Sequence, residues 1–111
     1  MGSPGLGDLE QLVLLAVLRL DDGAYAVSVR DEIRGRAGRS VSRGAVYVTL
    51  DRLERKGMLT SGLGEPTPER GGKAKRLFYI EPDGVAALRA SLGEIHSMTA
   101  GLAERLGGEP A

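Results

Sequence analysis

The chain has 111 residues, enough for one domain with a small hydrophobic core but not for two. It contains no cysteine and one histidine, which excludes disulfides, thiolate metal sites and histidine clusters. We therefore expect no metal or other cofactor. The most apolar stretch, residues 9–20, is too short to span a bilayer, and no basic segment typical of a signal peptide precedes it. These features predict a cytoplasmic protein that does not enter a membrane.

The formal net charge is zero, but the charges are unevenly distributed. Residues 30–76 contain twelve Lys or Arg against six Asp or Glu, a net +6, and the rest contains three against nine, a net −6. A concentrated positive segment attracts phosphate, because binding releases counterions from nucleic acid. The alternative is a set of solvated helix faces without a partner.

The first two helices follow from the spacing of apolar residues. Residues 9–20 have the three- and four-residue spacing of an amphipathic helix, and additional leucines extend its apolar surface around the cylinder. A second helix is predicted over residues 26–36, with Val29 and Ile33 facing inward and Gly38 closing the turn that follows.

A third helix and a hairpin come next. Residues 42–59 predict a helix in which Ser42 is the N-cap and Gly57 supplies the left-handed residue at the end. Two strand-like runs follow at residues 59–63 and 77–80, separated by a loop rich in glycine and basic residues. The expected fold is mainly α with a small β-hairpin wing, which is a winged helix-turn-helix domain over residues 5–81.

The C-terminal segment, residues 82–106, is predicted to be a dimerisation helix. Its apolar positions alternate in spacings of three and four, like the seam of a coiled coil. The alternative is docking of this helix on the chain's own core. The residues predicted to form the dimer interface are Leu12, Leu15, Leu88, Leu92, Ile95, Leu102 and Leu106. Such a homodimer would present two recognition helices roughly 34–36 Å apart and would require a palindromic site.

Three segments of the sequence resemble the PadR family of bacterial transcriptional regulators. They are LGDLEQLVLLAVL with YAVSVRDEI, GAVYVTLDRLERKGMLTS and ERGGKAKRLFYIEPDG. The resemblance covers almost the whole chain and implies a homodimeric winged-helix repressor of double-stranded DNA, of the compact type with one C-terminal helix. Some members bind flat apolar ligands at the dimer interface, so the resemblance also raises the possibility of a small-molecule effector. This chain has no tryptophan to stack on such a ligand.

Candidate DNA-binding residues lie on the third helix and in the wing. Arg43 and Tyr47 are four residues apart and share the helix face opposite the buried edge. The resemblance associates the tyrosine with DNA contact, whereas the alternative is a tyrosine that seals the core. Arginine binds either guanine or phosphate, and the sequence does not decide between them. The full predicted set is Ser42, Arg43, Tyr47, Thr49, Arg70, Lys73, Lys75 and Arg76.

No pattern in the sequence indicates an enzyme. The RGGK tetrapeptide lacks the spacing of a phosphate-binding P-loop, and no candidate nucleophile has a neighbouring base. The main alternative is a winged-helix module that binds protein within a larger complex through its apolar helices. The basic third helix and wing favour DNA as the partner.

Overall fold

The computed structural model describes residues 5–66 and 74–107, which form four helices and one antiparallel hairpin. A short 3-10 turn follows the first helix. The elements are α1 (Asp8–Leu20), α2 (Ala26–Ala37), α3 (Arg43–Arg55), β1 (Leu59–Pro66), β2 (Ala74–Ile80) and α4 (Pro82–Thr99). Their order and type confirm the predicted winged helix-turn-helix architecture. In this part of the chain, no helix has both the length and the apolar character needed to cross a membrane.

The core lies where α1, α2 and α3 meet, and the hairpin and α4 close it. The residues predicted to face inward from α2 and α3 are buried, and Phe78 of β2 is 1% exposed beside them. The Phe78 amide donates a hydrogen bond of 2.8 Å to the carbonyl of Ala24, which attaches the hairpin to the segment after α1. The largest fully buried side chains are Phe78, Leu14, Leu50, Leu53, Val13, Val17, Val29 and Val46.

Both predicted ends of α3 are confirmed. The Ser42 hydroxyl accepts a hydrogen bond of 3.1 Å from the amide of Ala45, as an N-cap does. Gly57 has a φ of 80°, a left-handed conformation that a glycine adopts without steric cost. The helix itself spans 13 residues, shorter than the predicted range, because Lys56 and Gly57 already form the turn into β1.

The hairpin is longer than predicted. Leu59 pairs with Ile80 and Ser61 with Phe78, and the ladder becomes irregular between Leu63 and Pro66. Glycines in this region were interpreted as strand boundaries, but a glycine forms ladder hydrogen bonds as well as any residue. At Gly64 the missing side chain leaves room for Leu77, whose Cδ1 atom would lie 2.8 Å from an added Cβ.

The C-terminal helix differs from the prediction in length and in packing. It ends at Thr99, and Gly101 has a φ of 81°, so the predicted seam does not continue along one helix to residue 106. Leu88 was predicted to face a dimer partner, but it is 4% exposed and belongs to the chain's own core. The alternative of intramolecular docking is therefore correct for the first half of α4.

Candidate nucleic-acid interface

The exposed side of α3 lies opposite its buried edge. Tyr47 is 45% exposed there, so it does not seal the core, and Arg43 lies exposed one turn before it. Ser42 is also exposed at the start of the helix, where the first-turn amides form the positive end of the helix dipole. The structure thus brings three of the predicted residues together on one accessible surface.

Thr49 does not lie on this surface. Its side chain is 4% exposed, and its hydroxyl donates a hydrogen bond of 2.8 Å to the carbonyl of Ala45 one turn earlier. Thr49 follows Val46 by three residues and precedes Leu53 by four, which places it on the buried edge of the helix. The expectation that Thr49 contacts DNA does not fit this position, so we leave it out of the interface.

Arg76 of β2 is turned against α3. Its guanidinium donates hydrogen bonds to Glu54 at 2.5 Å, to Tyr47 Oη at 2.7 Å and to Ser61 Oγ at 3.1 Å. Its Cζ atom also lies 5.1 Å from the centre of the Phe78 ring. Arg76 was predicted to contact DNA, but here its three nitrogens are all engaged by neighbouring protein groups.

Lys75 lies on the other side of the hairpin, and its Nζ atom is 4.4 Å from the centre of the Tyr25 ring. A cation over an aromatic face is held in place yet keeps its positive charge. The two other predicted wing residues, Arg70 and Lys73, lie outside the described residues.

A cleft of about 180 Å³ opens between the N-terminal ends of α2 and α3 and the strand β2. Arg43 and Tyr47 line it from α3, Ala26 and Val27 from α2, and Arg76 from β2. Since two helix N-termini and two arginines meet at this opening, its electrostatic character suits an anion such as a nucleic-acid phosphate.

Three further exposed positions of α3 were not recognised from the sequence. Gly44 and Val48 are exposed, Val48 by 55%, and Arg52 follows one turn later. An exposed valine on such a face can contact the methyl group of thymine. The signal was available in the helical spacing, because positions 44, 48 and 52 follow one another at four-residue intervals. Arg55 lies on the same side but pairs with Asp51 at 2.7 Å, which reduces its free charge.

The side chains with shifted pKa values lie on α1, away from this surface. A hydrogen bond and charge from Arg39 lower the pKa of Asp8. Burial acts to raise the pKa of Glu10, but Lys56, the amide of Gly7 and other nearby positive charge lower it overall. Within residues 5–66 and 74–107, no cluster of three or more acidic or histidine side chains is placed to hold a metal ion. The surface therefore has the chemistry of recognition by charge, hydrogen bonds and apolar contact.

The comparisons with known proteins agree with this geometry. A family model described as "Transcriptional regulator PadR-like family" matches residues 14–90. The fold is similar to that of a PadR family transcription regulator from Clostridium difficile R20291, with 19% identity, a TM-score of 0.71, and coverage of 91% of this chain and 100% of that one.

Two other solved structures show the same fold. A PadR-like transcriptional regulator from Bacillus cereus has 18% identity and a TM-score of 0.71, covering 91% of this chain and 93% of that one. The complex structure of hsRosR-S4, a form of RosR from H. salinarum, has 22% identity and a TM-score of 0.65, covering 91% and 80%. No curated protein matches the sequence.

Proposed function

The chain belongs to the PadR-like family of transcriptional regulators, which is not a family of enzymes, and we propose that it is a homodimeric repressor of a palindromic DNA operator. The observation that carries this proposal is the exposed face of α3, where Arg43, Tyr47, Val48 and Arg52 point away from the core. Side chains of these types at helical spacing suit the major groove of B-DNA.

The hairpin supplies the second part of the proposed contact. Lys75 keeps its charge beside the start of α2, and we propose that it binds a phosphate next to the groove that α3 enters. Arg70 and Lys73 are proposed to extend the same contact from the loop. Because phosphate contacts carry no sequence information, base reading is assigned to α3.

The proposed dimer uses the second half of α4. Leu92 is 41% exposed, Ile95 58% and Met98 76%, so this half of the helix presents apolar side chains to solvent. Leu102 and Leu106 follow in the turns after the helix and are 38% and 65% exposed. A continuous exposed apolar surface of this kind is typical of a protein interface.

The surface that would receive it lies between α1 and α2. Leu12, Leu15 and Ile33 line a largely apolar groove of about 150 Å³, with Arg19 and Arg36 beside it. Leu12 and Leu15 are only partly buried in the single chain, as residues that await a partner are. We propose that α4 of a second copy packs near this groove, with its acidic residue Glu94 close to the two arginines.

A small apolar or aromatic effector is part of the same proposal. Drug-sized ligands occupy pockets of about 300–1,000 Å³, and the groove between α1 and α2 holds about 150 Å³. An effector site would therefore have to be completed by the second copy. Release from DNA would then follow from a change in the spacing of the two α3 helices.

The deciding experiment is fluorescence anisotropy with DNA from the region upstream of the chain's own gene, measured over a range of salt concentrations. We expect binding whose logarithm falls with the logarithm of salt by about 0.9 for each phosphate neutralised. Complete loss of salt-sensitive DNA binding would refute the repressor proposal. Isolation of a tight protein complex instead would support the alternative of an interaction module.

A scan of single base-pair changes separates base reading from phosphate binding at Arg43. If Arg43 contacts a base, Arg43→Ala should cost roughly 1–3 kcal/mol and remove discrimination at one position. Equal weakening on every sequence would assign Arg43 to a phosphate. Arg89→Ala is the matched control, because Arg89 is exposed on α4, away from the α3 surface.

A further inference from the structure

We propose that Arg76 is a positioning residue that orients the Tyr47 hydroxyl as a hydrogen-bond donor toward DNA, without contacting phosphate itself. This inference rests on the proposed DNA-binding function. It assigns the most prominent cation of β2 to the protein interior side of the interface and gives the chemical role at the DNA surface to a neutral phenol.

The guanidinium is bound by a closed set of protein groups. Its Nη2 donates to Glu54 Oε1 at 2.5 Å, and its Nε donates to Ser61 Oγ at 3.1 Å. The Ser61 hydroxyl in turn donates to the other Glu54 oxygen at 2.8 Å. The Arg76 and Glu54 side chains are only 36% and 29% exposed, so this ion pair is partly shielded from solvent. The positive charge of Arg76 is thus compensated before any DNA arrives.

The remaining guanidinium nitrogen acts on Tyr47. Nη1 donates a hydrogen bond of 2.7 Å to Tyr47 Oη, so the phenol oxygen is an acceptor in this contact. Its own hydrogen must then point to another acceptor, and none from the described residues is hydrogen-bonded to it. A hydroxyl that accepts from a charged donor becomes a stronger donor itself.

The direction of this donor is toward the proposed DNA surface. Tyr47 is 45% exposed and lies beside Arg43 and Val48. The groups that DNA presents there are acceptors, namely phosphate oxygens and the N7 atoms of purines in the major groove. The arrangement therefore matches a donor on the protein with an acceptor on DNA.

Arg76 is also held where it is by packing. Its Cζ atom lies 5.1 Å from the centre of the Phe78 ring and 5.7 Å from that of Tyr47. Movement of the guanidinium out to a phosphate would break three hydrogen bonds and leave the Glu54 carboxylate without its cation. Because such a carboxylate would stand next to DNA, outward movement is electrostatically unfavourable twice over.

The sign of the effect of Glu54→Gln tests this inference. The substitution removes a negative charge next to the interface, so a phosphate-binding Arg76 would be freed and DNA binding would strengthen. A positioning Arg76 would lose its anchor, and operator binding should weaken roughly five- to tenfold. The control is Glu32→Gln, which makes the same charge change in the exposed Glu32–Arg36 pair on α2 and should not weaken binding.

Arg76→Lys provides a second test, because lysine keeps the charge but cannot form the forked contacts of arginine. We expect roughly five- to tenfold weaker operator binding than the unaltered protein. We also expect a salt slope within 0.3 of the original, since no phosphate contact is lost. Lys75→Ala, on the same strand, should lower that slope by about 1.

A double-mutant cycle with Tyr47→Phe completes the design and does not depend on Glu54. Tyr47→Phe alone should weaken operator binding, and adding Arg76→Lys should have little further effect, because both changes remove the same oriented hydroxyl. Circular dichroism and thermal unfolding establish that each variant is folded. Coupling of this kind is not expected from a merely structural arginine.

The outcomes are distinct. Additive losses, or a Glu54→Gln variant that binds more tightly while Arg76→Lys binds as before, would overturn the positioning role alone. Failure of the unaltered protein to bind DNA in a salt-sensitive manner would overturn the proposed function and this inference together.

Discussion

Lys56, directly after α3, donates a hydrogen bond of 2.8 Å to the carboxylate of Glu10 in the first turn of α1. The Glu10 side chain is 8% exposed, and it also accepts a hydrogen bond of 2.9 Å from the amide of Gly7. One buried carboxylate therefore caps α1 and fixes the end of the proposed reading helix to it. This contact spans 46 positions of sequence and makes the orientation of α3 depend on the ionisation of Glu10.

The first prediction is that Glu10→Gln destabilises the protein. Glutamine keeps an oxygen for the Gly7 amide but removes the charge that pairs with Lys56. We expect the free energy of unfolding to fall by about 1–2 kcal/mol at neutral pH, at the lower end because the lysine is 43% exposed. Urea unfolding measures this change. Asp8→Asn, which alters the exposed Asp8–Arg39 pair, is the control and should have a smaller effect.

The second prediction concerns pH. Burial of Glu10 acts to raise its pKa, but Lys56, the Gly7 amide and nearby positive charge lower it overall in the folded state. A lowered pKa means that the carboxylate stabilises the fold above the unfolded-state pKa of about 4.3 and loses that effect as pH falls through the folded value. The unaltered protein and Glu10→Gln should therefore converge in stability on acidification. A difference that stays constant down to about pH 3 would contradict this assignment.

The third prediction is that Gly84→Ala destabilises the packing of α4. A Cβ at this position would overlap the carbonyl of Met58 and lie 2.9 Å from Ile80. The carbonyl is fixed because it accepts a hydrogen bond of 2.9 Å from the amide of Glu81. We expect a loss of about 1–3 kcal/mol in the free energy of unfolding. Gly93→Ala in the same helix is the control, because an added Cβ there has nothing within 4 Å and should not destabilise the helix.

These residues show which parts of the structure were accessible from the sequence. The cap at Ser42 and the end at Gly57 depend on local chemistry, and both were predicted correctly. The buried edge of α3 followed from spacing, and the same spacing would have placed Thr49 inside. Periodicity gives the direction of a side chain but not the element that covers it.

Two differences depend on contacts between distant segments. The partners of Arg76 come from α3 and β1, and Glu54 is 22 positions away, so no local pattern distinguishes an internal arginine from one that binds phosphate. Leu88 fits the seam of a coiled coil as well as it fits the core, and only the position of α4 decides between them. The spacing also gave no sign that the helix would end at Thr99, although Gly101 weakens any continuation.

The fourth prediction is that Gly44→Ala has opposite effects on folding and on DNA binding. Gly44 lies in the first turn of α3, it is exposed, and an added Cβ would have nothing within 4 Å. Alanine should raise stability by up to about 1 kcal/mol, since glycine is a poor helix former. If DNA approaches the helix closely here, the methyl group should weaken binding. Gly35→Ala on α2, which also has open space, should stabilise the protein and leave binding unchanged.

The fifth prediction tests the proposed dimer through Ile95. This side chain is 58% exposed in the second half of α4, so Ile95→Glu should leave the fold of one chain intact. A charge in the centre of an apolar interface has no partner and is costly to bury. We therefore expect monomers in sedimentation at concentrations where the unaltered protein is dimeric. Arg89→Glu is the control, because Arg89 is exposed on the same helix outside the apolar set and the dimer should persist.

Loss of the dimer should also change DNA binding in a way that depends on symmetry. A monomer presents one α3 and one hairpin, so the number of phosphates neutralised and the salt slope should both fall by about half. Binding should then become equal on a palindrome and on its isolated half-site. An Ile95→Glu protein that remains a dimer would show that other surfaces hold the two copies together, and the role proposed for the second half of α4 would be wrong.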